Sequence, residues 1–173
     1  ERVFDVLDTV PDVADRSGVL APGHRAQGDV RFEHVRFHYR SDVPVLKGFS
    51  AKVPAGERVA LVGMSGAGKS TLVKLLMRFY DVTEGAVCID GTDVRDLPIA
   101  YLRQQIGFVQ QEPFLFNGTV RDNLLYGDLQ ADQNRLETAA RAARAHEFIA
   151  ALPEGYETWI GERGVKLSVG QKQ

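Results

Sequence analysis

Residues 63–71 read GMSGAGKST, which fits the spacing G-x-x-x-x-G-K-[ST]. Residue types in that order hold phosphate. Gly63, Gly66 and Gly68 let the backbone curl without Cβ clashes, so that successive N–H groups point inward at phosphate oxygens, and Ser65 lies inside the same curl. Lys69 supplies a point charge suited to β and γ oxygens. The Ser70 hydroxyl is a hard oxygen ligand suited to Mg²⁺, and Thr71 beside it offers a further phosphate contact. The chemistry implied is the binding of a nucleoside triphosphate.

Such a loop works only between a strand and a helix. The apolar run Val59-Ala60-Leu61-Val62 predicts a buried strand leading in. Leu72, Leu75, Leu76 and Phe79 fall at i, i+3, i+4 and i+7, which predicts a helix packed on a sheet, its positive end adding to the pull on phosphate. Further strands are expected at 30–35, 57–63, 86–90 and 106–109, with a helix around 98–104, an α/β pattern. Beyond Gln111 the pattern turns helical, at 119–125 and along an alanine-rich stretch from 132 to 151. Val3, Phe4, Val6, Leu7 and Val10 have helical spacing that stops at Pro11, after which Gly18, Pro22, Gly23 and Gly28 mark a loop. The expected organisation is a connector over 1–28, a nucleotide-binding α/β core over 29–110 and a helical lobe over 111–173.

Composition narrows the function classes. With 44% hydrophobic and 25% charged residues the chain is an ordinary globular sequence, neither disordered nor fibrous. Lys and Arg number 21 against 23 Asp and Glu, a net charge of −2 with no basic stripe, which argues against a nucleic-acid partner. Cys88 is the single cysteine, which rules out an internal disulfide or a cysteine-based zinc site within this sequence and fits a reducing compartment. No apolar stretch reaches membrane-spanning length.

Taken with four further motifs in order, the phosphate loop resembles that of the ATP-binding cassette (ABC) transporter nucleotide-binding domain, of the exporter type. The motifs are Tyr39 in FHY, Gln111 in FVQQEPFLF, TWIGERG at 158–164 and LSVGQKQ at 167–173. The resemblance implies a P-loop NTPase (RecA-like) core with an antiparallel β subdomain and a partial helical subdomain. It implies that Tyr39 stacks on adenine, offering a flat apolar face while its hydroxyl stays wet. Gln111 becomes the glutamine that ligates Mg²⁺ or orients the attacking water, and Glu162 the contact residue toward membrane helices. Ser168, Gly170 and Gln171 become the tip that grips the γ-phosphate of ATP held by a second, head-to-tail domain. Ser168 with Gln171 three residues on also fits a capping box, which would start a helix with open N–H groups at its tip. Val169 stands where the family has a glycine, and its stiff β-branched side chain adds bulk beside that anion site. The N-terminal ERVFDVLD resembles the linker that follows the last membrane helix of an exporter half.

By the same resemblance, the strand with a Mg²⁺-binding aspartate and catalytic glutamate, and the histidine loop, would follow the signature; these 173 residues contain none of them. The sequence therefore reads as a fragment of a membrane ATPase, expected to bind ATP far better than it hydrolyses it and to be only marginally stable alone. A soluble cassette ATPase of the DNA-repair or translation type would share the loop and signature, but the linker and TWIGERG argue against it. A GTPase lacks support because no N-K-x-D sequence occurs. A short non-hydrolytic nucleotide-binding module is the third alternative.

Overall fold

The computed structural model describes residues 10–111, 113–161 and 167–172. It divides into two compact units, one ending at Gly107 and one beginning at Phe108. The linker motif at 1–8 and Glu162 lie outside the described residues.

The first unit is built on an antiparallel sheet. Strands β1 (Val30–Arg40), β2 (Val43–Val53), β3 (Glu84–Ile89) and β4 (Thr92–Asp93) lie in the order β2-β1-β3-β4. Phe32, Val35 and Phe37 of β1 all reach the core, although Phe32 and Val35 are an odd number of residues apart. A bulge reconciles them: the register shifts between Phe32 and Val35, and His34 adopts φ 48°. The His34 N–H donates to Ser50 Oγ at 2.9 Å, so the bulged amide still has a partner. Across the bulge stands Gly85, with φ 82°. Any Cβ there would lie 2.3 Å from the Glu33 carbonyl oxygen. The β3–β4 hairpin turns on Asp90-Gly91, both at positive φ, the tight turn whose twist suits two strands.

Helix α1 (Lys69–Leu76) lays Leu72 and Leu75 into the core formed by Val35, Phe37, Leu46 and Val87. The expected stripe ends early. Arg78 takes the left-handed conformation at φ 51°, and Phe79 turns outward, 45% exposed, under the Arg103 guanidinium at 4.7 Å. Arg78 itself is buried, donating to Asp81 at 2.9 Å and to the Ala14 carbonyl at 2.8 Å. Asp15 accepts from the Ile99 N–H at the start of helix α2 (Ile99–Gln104). The Asp90 carboxylate accepts from the N–H groups of Gln27, Gly28 and Asp29. The irregular segment before β1 is thus fastened to the first unit by side-chain bonds to its backbone.

Two expected strands are not formed. Residues 57–63 and 106–109 carry no strand pairing, and Val62 is 90% and Val109 70% exposed. A strand exists through its neighbours' hydrogen bonds, and the sheet of the described residues has none placed beside these runs. Conversely, β2 is not among the expected strands, and its run carries Pro44 and Gly48, two residues that weaken a strand pattern. Pairing along its length with β1 overrides that weak propensity.

The second unit is helical. Helix α3 (Val120–Leu125) opens with a full capping box between Thr119 and Asp122, which holds the Asp122 carboxyl below its ordinary range. The expected helix over 132–151 is two: α4 (Gln133–Ala142), capped by Asp132, and α5 (His146–Ala150). Arg144 at φ 58° breaks them. Val120, Ala140, Ile149 and Ile160 form this unit's core. Helix α6 (Val169–Lys172) ends the described residues. Among the described residues no helix is long and apolar enough to cross a membrane.

Candidate functional site

The phosphate loop is curled as its glycines require. Gly63, Gly66 and Gly68 have φ of 153°, 82° and 87°. Gly68 is the N-cap of α1 and no side chain caps it, so the first N–H groups of the helix are open to a ligand. A Cβ on Gly68 would also meet Leu46 Cδ2 at 2.9 Å, so the loop sits close against β2. Lys69 folds back over the curl, its ammonium donating to the carbonyls of Gly63 and Met64, each at 2.8 Å. The charge is thereby fixed at the mouth of the loop.

An open cleft of about 300 Å³ is lined by Tyr39, Val45, Ser65, Gly66, Gly68, Lys69, Ser70 and Thr71. All but Val45 are residues singled out from the sequence. Tyr39 shares a side of β1 with Phe37, but Phe37 is buried and Tyr39 is 45% exposed at the edge, their rings meeting edge to face at 4.8 Å. Tyr80 closes on the same ring at 5.0 Å. The Tyr39 hydroxyl lies 3.1 Å from Thr71 Oγ1, tying the exposed ring to the first turn of α1. Sequence reasoning had no sight of that bond, since its partners are 32 residues apart. It also missed Val45, which lies on the unexpected β2, and Lys74, whose ammonium lies 5.6 Å from the Tyr39 ring centroid and whose place three residues after Thr71 on a helix was the available signal.

In the second unit Gln111 is an exposed bend residue. The capping box expected at the signature is formed: Ser168 N–H donates to Gln171 Oε1 at 2.9 Å, and Gln171 N–H to Ser168 Oγ at 3.3 Å. Val169 is 68% exposed, and a Cβ on Gly170 would meet nothing within 4 Å. No cluster of His, Cys, Asp and Glu able to hold a metal occurs among the described residues. In the cleft the Ser70 hydroxyl is a hard oxygen of the kind suited to Mg²⁺.

Residues 46–173 match the family model described as ABC transporter. The chain belongs to that family. Its fold is that of the ABC ATPase domain, a P-loop NTPase fold, and a solved structure of a bacterial Atm1-family ABC exporter with ATP bound superposes with TM-score 0.91 at 44% identity, over 99% of this chain and 30% of that one. An ATP-dependent lipid A-core flippase of Syntrophus aciditrophicus is 50% identical across 100% of this chain and 28% of its own length. A human mitochondrial potassium channel ATP-binding subunit is 47% identical across 99% of this chain and 24% of its own. This ABC domain thus spans under a third of the relatives it matches.

Proposed function

We propose that this ABC domain binds ATP with Mg²⁺ and, within a larger protein, couples ATP binding and hydrolysis to export of a substrate across a membrane. The observation that carries the reading is the tie between Tyr39 and Thr71, which brings an exposed aromatic face and an uncapped phosphate-binding helix into one cleft. The open N–H groups at the start of α1 and the Lys69 ammonium would take the phosphates, and the Ser70 hydroxyl would be the residue that holds Mg²⁺. When bound, Mg²⁺ supplies neutralisation of phosphate charge. The Tyr39 ring takes adenine and orients the phosphate tail toward Lys69.

Gln111, in the helical lobe, carries an amide oxygen that would ligate Mg²⁺ or orient the attacking water. Ser168, Gly170 and Gln171, at the capped tip of α6, hold the γ-phosphate of a nucleotide bound to a second such domain. Residues 1–28 lead in from a transmembrane domain, 29–110 form the nucleotide-binding core and 111–173 the helical lobe, at the cytoplasmic face of a membrane. Lipid and potassium-channel names among relatives of similar identity support leaving the choice of substrate to the membrane domain.

Titration of the full chain with Mg·ATP by calorimetry, beside Lys69→Met, tests the reading. Removing one charge-assisted partner of the phosphates weakens binding by about ten- to a hundred-fold. Equal affinity of wild type and Lys69→Met would refute it.

A further inference from the structure

The Tyr39 ring has a neighbour that the nucleotide reading does not use. Lys74 lies on the exposed side of α1, three residues after Thr71, and its Nζ sits over the Tyr39 ring at 5.6 Å from the centroid. The ring is otherwise fixed by the edge-to-face contacts with Phe37 and Tyr80 and by the hydroxyl bond to Thr71. Tyr39 lines the phosphate cleft and Lys74 does not, whereas Lys69 does. The two lysines of this helix are therefore divided: one ammonium bonds the carbonyls of the glycine loop, the other lies over an aromatic ring.

We propose that Lys74 is a positioning residue for the nucleotide base, holding and polarising the Tyr39 ring through a cation–π contact so that it stacks more tightly on an electron-rich purine. A cation over a π face is attracted by the ring quadrupole, which adds a restraint on ring orientation that the hydroxyl bond alone does not give. It also draws π density toward itself, leaving the rest of the ring poorer in electrons and a better partner for adenine. The inference rests on Tyr39 being the adenine platform, and it differs from a phosphate role for Lys74 in one measurable respect: its effect requires the base.

The test is calorimetric titration of the full chain with ATP and, separately, with inorganic tripolyphosphate, for wild type, Lys74→Met and Lys74→Arg. Lys74 is exposed, so both variants keep the fold, which a thermal melt followed by circular dichroism verifies. Lys74→Met is expected to weaken ATP about two- to five-fold while leaving tripolyphosphate unchanged, and Lys74→Arg to restore ATP affinity. In a Tyr39→Leu background, Lys74→Met should have no further effect on ATP. Equal loss for both ligands would make Lys74 a phosphate cation, and no loss for either would make it a bystander; each overturns the inference and leaves the nucleotide reading standing. A wild-type chain that binds ATP no more tightly than tripolyphosphate overturns the adenine role of Tyr39, and this inference with it.

Discussion

Replacing Gly85 with alanine puts a methyl group against the bulge of β1, where three backbone atoms wait. The added Cβ would lie 2.3 Å from the Glu33 carbonyl oxygen, 2.6 Å from that of His34 and 2.8 Å from the His34 carbonyl carbon. None of these can swing aside as a side-chain end could. A left-handed φ costs an alanine about 1–2 kcal/mol, and forcing a methyl into a filled space costs about 1–3 kcal/mol more. The stiffer unfolded chain returns about 0.4–1 kcal/mol. The expected loss is about 3 kcal/mol. Gly91 supplies the control, because its φ of 81° matches the 82° of Gly85 within a degree while a Cβ there meets nothing within 4 Å. Gly91→Ala therefore carries only the conformational part, about 1 kcal/mol. Urea unfolding followed by far-UV circular dichroism reads the gap of about 2 kcal/mol between the two variants as a shift in midpoint. Coincident midpoints would refute the argument that close approach at the bulge fixes the register of β1. That register matters to the site, since a slip of one residue would turn Phe37 and Tyr39 to the other face.

Arg78→Met removes the bonds to Ala14 and Asp81, but the carboxylates left behind at Asp15 and Asp81 are 48% and 37% exposed and stay solvated. The loss should be about 1–3 kcal/mol, below the 3–5 kcal/mol or so of stranding a buried charge, and hydrogen exchange at the Ile99 amide should speed up because its Asp15 acceptor loses its tether. A urea midpoint unchanged from wild type would refute this account of the buried guanidinium. Burial pushes the Asp93 carboxyl up, yet the hydrogen bonds and charge of Arg95 outweigh it and hold the group below its usual range. Its contribution is therefore complete above the unfolded carboxylate value and is lost as pH falls through the lower folded value. Melting temperatures of wild type and Asp93→Asn should converge as the solution is made acidic, and a gap that stays constant would show that Asp93 does not act through its charge.

The parts of this ABC domain legible in its sequence are those whose interactions are local. The curl at Gly63, Gly66 and Gly68, the start of α1 at Lys69 and the capping box between Ser168 and Gln171 each close within a few residues, so their geometry follows from residue type and spacing. The split of the 132–151 helix was not legible, because an arginine at φ 58° carries no mark in the sequence. Nor were the fates of 57–63 and 106–109, whose apolar runs read as strands but lie exposed without strand partners among the described residues. Strand status belongs to a pair of segments and not to one. The same physics governs the site: spacing determined which residues form the glycine curl, but the bond between Tyr39 and Thr71 and the reach of Lys74 over the ring came only when sheet and helix packed together. Contacts between distant segments are set by how each element buries its apolar face, which no single segment contains.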